Sequence, residues 1–180
     1  MAGLALATAY WLVQTPVGVV GLAASATGLV AVKMGGAAVV RGELGRRAPQ
    51  AREELTPLLA AAAAQVTAYF AGAGRHFDLP CDLPGLSPFS HRVLAALAQV
   101  PYAVTVSYGE LALAAGHPGA ARAVGAVMAH NPLPLILPCH RVVGKNGALS
   151  GYSGGEGVAT KAWLLDFEAR QAQNKKAAGP

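Results

Sequence analysis

The chain carries the stretch Leu135-Ile136-Leu137-Pro138-Cys139-His140-Arg141-Val142-Val143, an apolar run interrupted by a rigid proline, a thiol and two basic side chains. A thiol reacts as its thiolate, and a nearby histidine can lower its pKa or take its proton. Side chains of neighbouring residues on an extended chain point to opposite sides, so we expect a water to bridge Cys139 and His140. Taken alone, the pair is weak evidence for such chemistry and more often indicates a buried, inert cysteine.

A carboxylate must orient the imidazole if His140 is to act as a base. Only Asp166 and Glu168 are candidates near the end of the chain, and both fall on a helix predicted from about Ala159 to Gln171.

Two short helices are predicted upstream of the cysteine, over Tyr108–Ala115 and Ala120–Ala129, with a further helix before them over Pro88–Gln99. The turn Gly116-His117-Pro118-Gly119 joins the first two, which gives the pattern of a helix-turn-helix. The second helix of the pair is rich in Ala and Gly, which would allow another molecule to approach its backbone closely. A packed helical hairpin without nucleic acid fits the same pattern.

The charge of the chain is unevenly distributed. The formal net charge is +5, and residues 89–180 hold 8 Lys/Arg against 4 Asp/Glu, a net of +4. No carboxylate occurs between Leu111 and Gly155, although Arg122, Arg141 and Lys145 do. A segment that excludes acids and keeps bases is what a surface that faces phosphates needs. A buried segment poor in polar residues is the alternative.

The N-terminal part is interpreted as a small domain. Residues 10–40 predict short strands, with a turn at Thr15-Pro16-Val17-Gly18 after the first of them, residues 41–52 predict a loop, and residues 55–70 a helix. A membrane or signal segment is the alternative for the apolar first 32 residues, but they lack Lys and Arg and contain Pro16 and several glycines. We therefore expect no membrane segment.

The density of Gly and Pro in residues 71–88 predicts an extended linker. It divides the chain into an N-terminal domain, 1–86, and a C-terminal domain, 87–172, followed by a flexible tail, 173–180. The two cysteines, Cys81 and Cys139, form no C-x-x-C pair, which argues against a thiolate zinc site and favours a reducing, cytoplasmic location.

The segment around Cys139 closely resembles the O6-alkylguanine-DNA alkyltransferases, also called methylated-DNA–protein-cysteine methyltransferases. The resemblance is strong over Phe89–Glu168 and fainter over the N-terminal part. It implies an α+β fold, with a small N-terminal α/β domain and a mainly helical C-terminal domain that contains the helix-turn-helix. The matching residues are Pro101-Tyr102, Val106–Ala112, Ala120–Gly125, Asn131-Pro132, Leu135–Gly144, Gly151–Gly155, Lys161, Trp163-Leu164-Leu165 and Glu168.

The resemblance also implies roles for the residues of the active site. Cys139 would accept the alkyl group, and His140, oriented by Glu168, would deprotonate it through a water. Asn131 would support the cysteine loop, and Tyr108 would donate a proton or hydrogen bond to the departing guanine.

A second set of residues would bind the DNA and the flipped base. Arg122 would enter the duplex in place of the flipped nucleotide, at the minor groove. Ser153 would form a hydrogen bond to O6 of the guanine through its backbone, and Tyr152 would line the pocket. The carbonyls of Cys139 and Val142 would accept hydrogen bonds from the exocyclic amine of the base. Four further residues are expected at the DNA: Ala120, Ala121, Gly125 and Arg141.

By this resemblance the protein is a monomeric DNA-repair transferase that acts once, uses no cofactor and binds duplex DNA containing alkylated guanine. Cooperative assembly on DNA and repair of O4-alkylthymine stay open. The N-terminal part offers only His76 and Cys81 as zinc ligands, so we expect no zinc. Two other functions compete: a relative that binds damaged DNA without repairing it, against which Cys139 argues directly, and a cysteine hydrolase.

Overall fold

The structure, a computed structural model, describes residues 6–177 of the chain, with side chains as far as residue 174. The described part divides into two compact units. The first consists of the residues up to Leu86 together with Pro132–Ile136, and the second of Ser87–Asn131 together with the residues from Leu137 onward. The sequence places the division after residue 86 but does not predict that 132–136 belong with the first unit.

The first unit is built on a four-stranded sheet. Its strands are β1 (Ala9–Thr15), β2 (Gly18–Ala24), β3 (Leu29–Gly35) and β4 (Arg52–Glu53). Their order in the sheet is β3-β2-β1-β4. Strand β2 is antiparallel to both of its neighbours, β1 and β3, and β4 is parallel to β1. The segment 132–136 joins this unit because the Val32 N–H donates to the Pro132 carbonyl over 2.8 Å.

The predicted hairpin at the start of the chain is confirmed. Gly18 has a φ of +94°, a conformation that a side chain disfavours. A Cβ on Gly18 would also lie 2.8 Å from the carbonyl oxygen of Gly35 on β3.

No helix among the described residues is long and apolar enough to cross a membrane.

The strand predicted to extend over residues 37–40 and the loop predicted from residue 41 are wrong, because helix α1 covers Ala37–Arg47. Val40 and Leu44 lie one turn apart on its buried side, and each is only 1% exposed. The two glycines that indicate a loop, Gly42 and Gly45, both have open space where a side chain would be. The predicted helix at 55–70 is confirmed as α2 (Pro57–Phe70), which Thr56 caps by accepting from the Leu59 N–H.

The second unit is mainly helical. It contains α3 (Pro88–Ala98), α4 (Tyr108–Ala114), α5 (Ala121–Ala129) and α6 (Val158–Ala177), with a short parallel pair of strands, β5 (Val106–Ser107) and β6 (Val142–Val143). The helices α3, α4 and α5 contact one another, so the helices predicted for the helix-turn-helix are present.

Local signals fix the two helices that precede the cysteine. Ser107 and Glu110 form a capping box at the start of α4. The turn between α4 and α5 contains Gly116 and Gly119, whose φ values are +77° and +84°. Helix α6 is longer than predicted: it reaches Ala177, so residues 173–177 of the predicted tail are helical, and 178–180 lie outside the described residues. With its small sheet and its helical second unit, the chain has the predicted α+β fold.

Candidate active site and nucleic-acid interface

Cys139 lies in a tight turn and not, as expected, on an extended chain. Residues Cys139–Arg141 form one turn of 3₁₀ helix just before β6. The Asn131 amide donates to the Leu137 carbonyl over 2.9 Å, and its side chain also hydrogen-bonds Cys139. Asn131 therefore holds the turn in place. The thiol is almost fully buried, with Cys139 only 3% exposed.

Burial decides the ionisation of the thiol. It raises the pKa of Cys139 to about 11, although the hydrogen bond from Asn131 and the charge of Lys161 act in the opposite direction. At neutral pH the group is therefore a thiol, and it needs a base before it can react as a nucleophile.

The candidate for that base is the next residue, His140. His140 is fully buried, and its Nε2 lies 2.9 Å from Oε1 of Glu168, which is also fully buried. Burial lowers the pKa of His140, so the imidazole is neutral at physiological pH. The other candidate carboxylate, Asp166, is exposed and pairs with Arg170, so the structure distinguishes between the two.

Glu168 accepts hydrogen bonds from three residues. Besides His140, the Arg141 guanidinium donates through Nη2 at 2.9 Å and Nε at 3.0 Å, and the Ala103 N–H donates at 2.9 Å. Burial alone would raise the pKa of Glu168, but the hydrogen bonds and charges of His140 and Arg141 lower it to about 2. The carboxylate is therefore ionised, and the proton of the imidazole stays on Nε2, which leaves the Nδ1 lone pair free to accept.

The expectation that Arg141 contacts DNA is wrong. Its side chain is buried, with the residue 5% exposed, and Nη1 donates to the Val100 carbonyl over 2.7 Å. A guanidinium committed to Glu168 and to a backbone carbonyl inside the protein cannot reach a phosphate. Arg141 instead holds the carboxylate that orients His140.

The backbone of Ala103 is held in a left-handed conformation, with a φ of +59°. A non-glycine residue there costs about 1–2 kcal/mol. The strained conformation accompanies the hydrogen bond that the Ala103 N–H donates to Glu168.

We therefore expect Ala103→Gly to stabilise the protein by about 1 kcal/mol or less, since the relief of strain exceeds the added entropy of the unfolded chain. The free energy of unfolding, measured in urea, checks this. Ala95→Gly, in the exposed middle of α3, is the matched control, and should destabilise by about 1 kcal/mol. Loss of stability in both variants would contradict the assignment of strain to Ala103.

Lys161 is the residue of this site to which the sequence assigns no role. It is fully buried, and its Nζ donates to the Val142 carbonyl over 2.5 Å and to the Ser150 carbonyl over 3.0 Å. The spacing along the sequence could have indicated its burial. Lys161 lies three residues before Leu164 and seven before Glu168, so the three side chains share one face of α6, which is the buried face.

A groove of about 920 Å³ opens between the start of α4, helix α5 and the loop after β6. The described residues that line it include two cations, Arg122 and Lys145, and no carboxylate. This acid-free surface suits a polyanion. Six residues expected at the DNA and base site line it: Tyr108, Ala121, Arg122, Gly125, Tyr152 and Ser153. Ala120 is the N-cap of α5, whereas Cys139 and Val142 are buried outside the lining.

The aromatic side chains of the groove connect it to the buried residues. The Tyr108 hydroxyl lies 3.3 Å from the Ser150 hydroxyl, and Lys161 Nζ is 5.9 Å from the centre of the Tyr108 ring. Gly125 leaves the space in front of that ring open, because a Cβ there would already touch it at 3.9 Å.

Metal ligands do not cluster in the described part of the chain: no group of three or more His, Cys, Asp or Glu residues there is placed to hold an ion.

Comparison with known families matches both parts of the chain. Residues 8–83 match the family described as "6-O-methylguanine DNA methyltransferase, ribonuclease-like domain", and residues 88–170 match "6-O-methylguanine DNA methyltransferase, DNA binding domain".

Curated relatives with similar sequences are methylated-DNA–protein-cysteine methyltransferases. The chain is 50% identical over 113 residues to that of Mycolicibacterium paratuberculosis, a match that covers 63% of this chain and 67% of the relative. It is also 50% identical over 108 residues to that of Mycobacterium bovis, which covers 60% and 64%. The matched part thus spans about two thirds of the length of these relatives.

Solved structures match over more of the chain. The crystal structure of the Mycobacterium tuberculosis O6-methylguanine methyltransferase superposes with a TM-score of 0.76 at 37% identity, over 91% of this chain and 93% of that one. The structure of the same protein in complex with DNA has a TM-score of 0.76, also at 37% identity, and covers 91% and 94%. The chain therefore belongs to the methylated-DNA–protein-cysteine methyltransferase family.

Proposed function

We propose that this protein repairs DNA by moving the alkyl group of O6-alkylguanine in a duplex onto the sulfur of Cys139. The observation that carries the proposal is the buried Cys139, with the His140–Glu168 pair beside it, in the unit that carries the acid-free groove. The protein acts once per molecule, as a monomer in the cytoplasm, where its thiol stays reduced. The first unit has a structural role, and the second binds DNA and accepts the alkyl group.

The chemistry is a displacement at the alkyl carbon. His140 takes the proton of the thiol through a water, a bond forms between sulfur and the alkyl carbon, and the bond from that carbon to O6 breaks. The guanine leaves as an anion, and the Tyr108 hydroxyl donates a proton or hydrogen bond to it, which lowers the barrier. The product is a thioether that no neighbouring group can cleave, so the protein is consumed.

The substrate must leave the base stack to reach the sulfur. Rotating a nucleotide out of a duplex costs a few kcal/mol, and the exposed Arg122 on the first turn of α5 offsets part of this cost by filling the gap. The small residues Ala120, Ala121 and Gly125 allow the helix to approach the minor groove closely. The Ser153 backbone forms a hydrogen bond to O6 of the guanine, and the carbonyls of Cys139 and Val142 accept hydrogen bonds from its exocyclic amine.

Mass spectrometry of the intact protein tests this function. We expect a single methyl increment after incubation with an excess of duplex containing O6-methylguanine, and none with unmodified duplex. Binding without an increment would indicate a relative that does not repair, and repeated product release without modification of the protein would indicate a hydrolase. Either result would refute the proposal.

We expect Arg122→Ala to slow transfer from a methylated duplex by about tenfold or more, because about 1.4 kcal/mol of lost support for the flipped state gives that factor. Transfer from free O6-benzylguanine should change little, since the free base needs no flipping. Arg170→Ala removes an equal charge from a residue outside the groove lining and is the control. Equal slowing with duplex and free base would rule out this role for Arg122.

A further inference from the structure

Two polar atoms of the site are buried and have no hydrogen-bond partner among the described residues: Nδ1 of His140 and the hydroxyl oxygen of Tyr152. Buried polar atoms in folded proteins nearly always have a partner, and a bound water supplies it where the protein does not. Both atoms therefore point to a water inside the site.

The two side chains lie next to each other in the site. Their rings meet edge to face, with centroids 6.5 Å apart and planes at 88°. Tyr152 is only partly buried because its ring lines the groove, yet its hydroxyl lies inside the protein. Nδ1 is on the side of the imidazole away from Nε2, which is bound to Glu168.

We propose that the Tyr152 hydroxyl, together with His140 Nδ1, holds in place the water through which His140 takes the proton of Cys139 in the proposed function. Tyr152 is thus a positioning residue for the deprotonation step. The proposal deepens the proposed function and rests on it for the identity of the final substrate, but not for the reactivity of the thiol.

The hydrogen bonds of this arrangement balance. The Nε2 proton of His140 is given to the ionised Glu168, so Nδ1 accepts an O–H from the water. The water oxygen in turn accepts the Sγ–H of Cys139 and the O–H of Tyr152. As the sulfur attacks, its proton passes to the water and a water proton passes to Nδ1, which leaves an imidazolium stabilised by Glu168.

Tyr152 keeps its own proton throughout. Burial raises the pKa of Tyr152 well above its ordinary value, and the negative charge of Glu168 acts in the same direction. A hydroxyl with a raised pKa donates a hydrogen bond and keeps its proton. Its hydrogen bond to the water oxygen fixes the water between Sγ and His140 Nδ1, while the negative charge develops on the sulfur.

The charged groups around the imidazole set the pH range in which this path works. Glu168 and Lys161 face it from α6, and Arg141 faces it from the 3₁₀ turn. Burial lowers the pKa of His140 and the two cations lower it further, while Glu168 acts against them. The imidazole is therefore neutral and able to accept a proton at neutral pH.

The test replaces Tyr152 by Phe in a full-length Cys81→Ser background, in which Cys139 is the single thiol. Two rate constants are measured: alkylation of Cys139 by iodoacetamide, and transfer from a duplex containing O6-methylguanine. We expect Tyr152→Phe to lower both by the same factor, about tenfold or more. The deficit should shrink as pH rises, because hydroxide then removes the thiol proton directly.

Tyr108→Phe provides the contrast, because that hydroxyl is assigned to the departing guanine. It should slow transfer from the duplex and leave the iodoacetamide rate unchanged. A Tyr152→Phe variant with an unchanged iodoacetamide rate would overturn the proposal, as would a deficit that is the same at every pH, which would indicate only a packing role. The iodoacetamide reaction needs no alkylguanine, so it decides the role of Tyr152 even if transfer itself failed.

Discussion

Cys139→Ser is expected to lose the methyl increment completely when the protein is incubated with a duplex containing O6-methylguanine. A serine hydroxyl has the size of the thiol but is a far weaker acid and nucleophile, and the His140–water path that deprotonates a thiol cannot ionise it sufficiently. Binding to unmodified duplex should be unchanged, because the buried Cys139 lies outside the lining of the groove. Intact mass and a binding isotherm on the same preparation measure both effects.

Cys81→Ser is the matched control for this experiment. The chain has two cysteines, and Cys81 is exposed, in the first unit. The same substitution there should leave both the methyl increment and DNA binding as they are. A methyl increment that persisted in Cys139→Ser and disappeared in Cys81→Ser would place the acceptor in the wrong unit and refute the assignment.

Glu168→Gln is expected to destabilise the second unit by about 3–5 kcal/mol, the effect of leaving a buried charge uncompensated. The amide has nearly the same shape as the carboxylate, but the guanidinium of Arg141 remains buried without its counter-ion. Urea unfolding, monitored with the full chain, measures the change. The variant should also slow the reaction of Cys139, because the proton on His140 Nε2 is no longer fixed.

The control for the charge is Asp166→Asn, two residues earlier on the same helix. Asp166 pairs with Arg170 one turn away, and both side chains are about 60% exposed. Exposed pairs of this kind contribute about 0–1 kcal/mol, so this variant should unfold almost as the parent does. Similar losses in the two variants would show that the buried network does not have the energetic importance assigned to it.

Acidic solution gives an independent view of the same network, and the sign of its effect follows from the hydrogen bonds and charges of His140 and Arg141, which lower the pKa of Glu168. The pKa of Glu168 is lowered to about 2 in the folded protein, so its contribution to stability is present above pH 4.5 and is lost as pH falls towards 2. Glu168→Gln should therefore show a smaller loss of stability than the parent over that range.

The local signals in the sequence were sufficient for most of the secondary structure. Thr56-Pro57 and the Ser107–Glu110 capping box start helices by satisfying backbone N–H groups within a few residues, so they act without any tertiary contact. The hairpin at Gly18 is local for the same reason. The run around Cys139 also identified the family, which the comparisons confirmed.

The helix α1 and the turn at Cys139 could not be predicted in this way. In α1 the burial of Val40 and Leu44 outweighs the low helix propensity of Gly42 and Gly45, and burial exists only once the sheet is present. The turn at Cys139 depends on Asn131, whose amide holds the Leu137 carbonyl. In both places contacts with other elements override the local preference.

The sequence alone thus identified the family and its fold and indicated Cys139 as the candidate nucleophile, because a motif is a property of neighbouring residues. Only the tertiary structure decided the partners of the charges. Arg141, expected at the DNA, lies buried on Glu168, and Lys161 lies buried on two backbone carbonyls. The cost of burying a charge depends on every group around it, and those groups come from distant parts of the chain.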